Sequence, residues 1–115
     1  GHRYAEMLAR GINVALGTDS LASNSSLDML REMRRLRADG KVDNQTILRM
    51  ATLNGAAALG WSDRIGSLEA GKQADWIVVE LPPDSPEPLE VILTNDTRVV
   101  EVVIAGKTVH TAARA

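Results

Sequence analysis

A short apolar run near the start limits what this chain can fold into. Ile12-Asn13-Val14-Ala15-Leu16 is broken only by Asn13. It is too short for a helix and suits a β-strand buried on both faces. Tyr4 to Arg10 precedes it, with Tyr4, Met7 and Leu8 at helical spacing and Gly11 as the stop. Gly17-Thr18-Asp19-Ser20 then ends the strand as a polar loop. Helix, glycine, buried strand and polar loop make one unit of an α/β repeat.

Two textures divide the remainder. Up to about residue 60 the chain reads as helical. Ser25-Ser26-Leu27-Asp28 has the form of a capping box and predicts a helix over 26–38, with Leu27, Leu30, Met33 and Leu36 on its apolar face. Arg31, Arg34, Arg35 and Arg37 are assigned to a solvated face. A second, largely buried helix is expected over 44–53, and a short Ala-rich one over 55–59, stopped by Gly60. From about residue 64 the period changes. Strands are predicted over 75–81, 99–105 and 108–111, with Gly106-Lys107 as a two-residue hairpin turn. Pro82, Pro83, Pro86 and Pro88 mark an exposed loop between the first two strands.

Composition narrows the function classes. The chain has 115 residues, with 13 Lys and Arg against 15 Asp and Glu. No basic excess is present to neutralise a phosphate backbone, so no nucleic-acid partner is expected. No apolar run approaches a membrane span, and no apolar segment follows Gly1-His2-Arg3-Tyr4 as in a signal peptide. Cysteine is absent, which removes disulfides, thiolate zinc sites and nucleophilic thiols. A cytoplasmic location is the expectation. With two Trp, one Tyr and no Phe, the core must rest on aliphatic residues and Met, as suits a segment that completes a larger core.

Asp19 is the best candidate for chemistry. A carboxylate at the C-terminal end of a buried strand occupies the place where α/β barrels mount catalytic residues. It can bind a metal or move a proton. It can equally cap its own loop by accepting backbone N–H bonds. Ser20, Ser23 and Asn24 add polar groups nearby in sequence. His2 and His110 are the only histidines; His110 is assigned to the surface of the terminal hairpin. No glycine-rich phosphate loop is present, because Gly66 to Gly71 lacks a strand before it and a helix after it.

Gly11-Ile12-Asn13-Val14-Ala15-Leu16-Gly17-Thr18-Asp19-Ser20-Leu21-Ala22-Ser23-Asn24 resembles the eighth barrel strand of the amidohydrolase superfamily, in its cytosine deaminase-like branch. That branch includes S-adenosylhomocysteine and methylthioadenosine deaminases, aminodeoxyfutalosine deaminases and triazine chlorohydrolases. Ala51-Thr52-Leu53-Asn54-Gly55-Ala56-Ala57-Ala58-Leu59-Gly60 resembles the helix after the barrel. Ile65-Gly66-Ser67-Leu68-Glu69-Ala70-Gly71-Lys72-Gln73-Ala74-Asp75 resembles the return into a small β-sandwich. Val102-Val103-Ile104-Ala105-Gly106-Lys107-Thr108-Val109 resembles the closing hairpin.

The resemblance implies an α/β fold: residues 1–60 as the end of a (β/α)8 barrel with following helices, and 61–115 as the C-terminal part of a composite β-sandwich. It implies a metal-dependent hydrolase, most simply a deaminase of a heteroaromatic amine such as a purine nucleoside derivative. Asp19 would bind zinc or iron and handle the proton of the attacking water. Asp75, in Gly-Lys-x-Ala-Asp, would be structural, and Trp61 and Trp76 would pack at the seam and in the sandwich. The family's His-x-His pair, its other histidines and its glutamate acid have no counterpart here. The chain is therefore expected to be the C-terminal part of a longer enzyme, to hold no metal and be inactive alone, and to associate with itself or with upstream sequence of the same protein. The alternatives are a chlorohydrolase or cyclic amidohydrolase, or a non-catalytic self-associating module.

Overall fold

The computed structural model describes residues 3–17, 29–95 and 97–111. In chain order the elements are α1 (Tyr4–Ala9), α2 (Met29–Asp39), α3 (Asn44–Ala51), α4 (Leu53–Ala58), β1 (Trp76–Glu80), α5 (Pro88–Thr94), β2 (Arg98–Ile104) and β3 (Lys107–Thr111). Local chemistry sets most of the boundaries. α1 closes with Gly11 N–H on the Leu8 carbonyl and Ile12 N–H on that of Met7. α4 closes the same way, through Gly60 onto Ala57 and Trp61 onto Ala56. This is the paired bonding that satisfies the last carbonyls of a helix. At the start of α3, Asp43 accepts the Thr46 N–H at 2.8 Å, the bond an N-cap side chain makes. Hydrogen bonding from Thr46, its side chain first and this backbone N–H second, holds the Asp43 carboxyl below its ordinary value. The proposed capping box at 25–28 lies outside the described residues.

Three corrections to the sequence reading follow. Residues 12–17 form no strand. A strand requires a ladder partner, and among the described residues this segment's bonds go to helices instead. The proline-rich stretch is not all loop. Pro88 occupies the first turn of α5, a position that needs no N–H, and Leu89, Ile92 and Leu93 then give the helix an apolar side. The hairpin turn lies one residue earlier than expected, at Ala105-Gly106, both with positive φ (51° and 77°).

α5 lies between β1 and β2 in sequence but packs on α2. Leu93 joins Met33 and Ile47 in a buried cluster, with Leu36, Val42, Leu48 and Ile92 against it. Polar bonds frame this contact. Arg34 donates to the Ile92 carbonyl at 2.9 Å and to Thr97 Oγ1 at 2.8 Å. Arg37 reaches both Glu90 oxygens at 2.9 Å, and Asn44 donates to Glu90 Oε1 at 3.0 Å. These contacts correct the assignment of Arg34 and Arg37 to a solvated face: α5 supplies their acceptors. Three donors, Arg37 first, push the Glu90 carboxyl down to about 2. Tyr4, buried, links α1 to the end of α2 through its hydroxyl on Asp39 at 2.9 Å.

The sheet is antiparallel in the order β1-β2-β3. β1 pairs with β2 as Trp76↔Val103, Ile77↔Val102 and Val78↔Glu101, with a bulge before Val79↔Val99. β2 pairs with β3 as Glu101↔Thr111 and Val102↔His110, with a second bulge before Val103↔Thr108. Gly66 joins the helical part to the sheet with φ +101°, and a Cβ there would stand 3.0 Å from that of Ala56 and 3.3 Å from Leu53 Cα. Both conformation and space therefore require glycine at 66.

Candidate functional site

The segment that leads to Asp19 is fastened to α3 and α4 by three hydrogen bonds. Asn54, in the first turn of α4, donates from Nδ2 to the Val14 carbonyl at 2.9 Å. Asn13 donates from its own Nδ2 to the Asn54 carbonyl at 2.9 Å. Leu16 N–H donates to the Met50 carbonyl at 2.8 Å. Met50 is in the last turn of α3, where carbonyls lack partners within the helix. Leu16 itself packs against the buried cluster.

Asp19 lies outside the described residues, as do Thr18, Ser20, Ser23, Asn24 and His2. His110 is described: it is exposed on β3, opposite Val102, which matches its assignment to the surface. Among the described residues no three His, Cys, Asp or Glu side chains come together as a metal site requires. They do not by themselves fit a catalytic zinc, which takes three protein ligands. The described residues frame open hollows. One, of about 480 Å³, is lined by Arg34, Arg37 and Leu93 among others, and one of about 890 Å³ by residues 80–86 with Val91, Asn95, Thr97 and Arg98. Neither touches residues 12–17.

Asp75 has the structural role expected of it. Its Oδ1 accepts the Ala105 N–H at 2.8 Å and a bond from Gln73 Nε2 at 2.8 Å. The Ala105 bond, first, and that of Gln73 lower its carboxyl below the ordinary value. Beside it, Gly106 N–H donates to the Ala74 carbonyl at 2.9 Å. The Ala74-Asp75 pair thus holds the hairpin turn from the start of β1. Trp61 and Trp76 are half-exposed or nearly so, at 50% and 39%. Among the described residues nothing buries either ring. Sequence reasoning missed the Asn13–Asn54 pair. Its signal was an amide inside an apolar run, which needs a partner once the run is covered.

No described helix is long and apolar enough to cross a membrane. Residues 3–109 match the model of the amidohydrolase family. The 5-methylthioadenosine/S-adenosylhomocysteine deaminase of Moorella thermoacetica is 45% identical over 116 residues, covering 89% of this chain and 27% of that protein. The enzyme of the same name from Teredinibacter turnerae is 40% identical over 117 residues, covering 90% of this chain and 26% of its own length. The chain thus spans about a quarter of these relatives. The crystal structure of an adenosine deaminase from Xanthomonas campestris, with bound zinc, superposes with a TM-score of 0.80 at 38% identity, over 94% of this chain and 28% of that one. With nearly its whole length matched, the chain belongs to the amidohydrolase family.

Proposed function

We propose that the protein carrying this chain is a metal-dependent aminohydrolase that deaminates a purine nucleoside derivative, of the 5-methylthioadenosine or S-adenosylhomocysteine kind. The observation that carries this reading is the 45% identity to a deaminase of that name across 89% of the chain, a span that includes most of the motif around Asp19. In this reading residues 1–60 end a (β/α)8 barrel, residues 61–115 contribute the C-terminal strands of a β-sandwich, and the protein works in the cytoplasm. Asp19 is the chain's own contribution to a zinc or iron centre whose other ligands lie elsewhere in the protein. Such a metal, when bound, brings the acidity of water close to neutrality. The Asp19 carboxylate then accepts the proton released as water adds to the ring carbon. It passes that proton to the departing nitrogen, which leaves as ammonia.

The test is ammonia release by the intact protein from 5-methylthioadenosine and S-adenosylhomocysteine, with and without chelator, beside Asp19→Asn. The amide is close in shape and cannot take the proton. The variant is expected to fold and to lose roughly 10²–10⁴-fold in turnover. Near-normal turnover by the variant would remove Asp19 from the mechanism. The 115-residue chain alone is expected to release no ammonia, because one carboxylate does not make a metal site.

A further inference from the structure

We propose that Asn54 is a site of covalent modification: it loses its side-chain amide to the Gly55 main-chain nitrogen, at a rate held down by its hydrogen bonds to residues 13 and 14. Asn54-Gly55 is the only Asn-Gly pair in the chain. Glycine has no Cβ to obstruct its own nitrogen, so this pair is the one most open to ring closure. The Gly55 nitrogen gives up its proton and bonds to Cγ of Asn54. Nδ2 takes a proton and departs as ammonia, leaving a five-membered succinimide. Water then opens the ring at either carbonyl, giving aspartate or isoaspartate at 54. The described residues give no structural reason for glycine at 55: its φ is not positive, and an added Cβ would meet nothing within 4 Å. The fold applies the brake. Asn54 lies in the first turn of α4, where a helical ψ of about −42° keeps Cγ away from the next nitrogen. Ring closure must turn the peptide plane between 54 and 55, and the Asn54 carbonyl in that plane accepts from Asn13 Nδ2 at 2.9 Å. The departing Nδ2 is itself tied to the Val14 carbonyl at 2.9 Å. Both bonds must break first, so the reaction proceeds through a local opening. The product carboxylate has no donor for Val14, which makes a reversible opening permanent.

The experiment incubates the intact protein at mildly alkaline pH and follows the mass of tryptic peptide 50–64, in which Asn54 is the only amide side chain. The reading is a peptide mass and is independent of the proposed activity. Wild type unfolded in guanidinium chloride is expected to convert at Asn54 readily, and native wild type far more slowly. Asn13→Ala frees the Asn54 carbonyl and is expected to convert about two- to tenfold faster than native wild type, the effect of one hydrogen bond on an opening equilibrium. Gly55→Ala has room for its methyl group and is expected to convert more slowly than wild type even when unfolded. In the aged wild type and in Asn54→Asp, the Leu16 amide, bonded to the Met50 carbonyl at 2.8 Å, should exchange with solvent faster. No conversion in the unfolded protein, or equal unfolded rates with and without Gly55, would overturn the site. Native conversion as fast as unfolded would overturn the brake, and equal native rates in wild type and Asn13→Ala would overturn the part given to Asn13. If Asn13→Ala fails to fold, denaturant below the unfolding transition replaces it: conversion of wild type should rise with denaturant, and a rate flat until global unfolding would overturn the local opening. Unchanged Leu16 exchange would overturn the permanent release.

Discussion

Ile47 and Glu90 show two ways in which one residue can hold this chain together. Ile47 has no exposed surface and touches the cluster from the α3 side. Ile47→Ala removes buried carbons and leaves a cavity, which costs about 2–5 kcal/mol; chemical denaturation of the protein should show a lower midpoint with little change of slope. Glu90 acts through charge. Its folded carboxyl titrates at about 2, below the ordinary glutamate value near 4.3. A group lowered on folding contributes stability that is complete above the unfolded value and is lost as pH falls toward the folded one. Stability should therefore decline between about pH 4.5 and pH 2, and Glu90→Gln should flatten that part of the profile. A profile of the same steepness in the variant would assign the acid sensitivity to other carboxylates.

At the scale of elements, what was legible in the sequence is what local chemistry decides. Gly11 and Gly60 closed their helices, Asp43 opened α3, and the β-branched runs gave β1 and β2 to within a residue or two. α5 was hidden because its prolines dominate a local reading, while its apolar side has meaning only once α2 is opposite. The segment 12–17 reads as a strand by composition, and pairing is a property of neighbours. The bonds from Asn13 to Asn54 and from Asn54 to Val14 span 41 and 40 residues; the amide in an apolar run was their one local sign, and nothing local named the partner. Of the site, Asp19 was singled out by its place at the end of an apolar run and by the motif around it, and it lies outside the described residues. The hairpin turn moved by one residue because Gly106 fills its second place, leaving Ala105 in a left-handed conformation at φ 51°. That conformation costs a residue with a Cβ about 1–2 kcal/mol. Ala105→Gly should stabilise the protein by a net of about 0.5–1 kcal/mol, since the glycine also frees the unfolded chain. A loss of stability would mean that the bond between its N–H and Asp75 had been disturbed.

At the scale of the molecule, the described residues leave several large apolar side chains uncovered. Leu68 is 73% exposed, Leu59 64%, Val109 59% and Ile104 51%. Surfaces of this kind favour association. The 115-residue chain is expected to sediment as a dimer or larger species at high concentration, and to shift toward monomer when Leu68 and Val109 are replaced by polar residues. A compact monomer at every concentration would defeat this expectation.

The excursion of α5 onto α2 also bears on how sequence can be exchanged among relatives. Residue 60 is the natural seam by pattern, with helices before it and strands after it. A chimera joined there would inherit Met33 and Ile47 from one parent and Leu89, Ile92 and Leu93 from the other. It would separate Glu90 from Arg37 and Asn44, and Arg34 from Thr97. A chimera that keeps residues 88–97 with the parent of α2 and α3, and exchanges only the hairpin beyond, leaves each of those partnerships whole. In recombination the unit to be transferred is set by who packs on whom, and it crosses the visible seam.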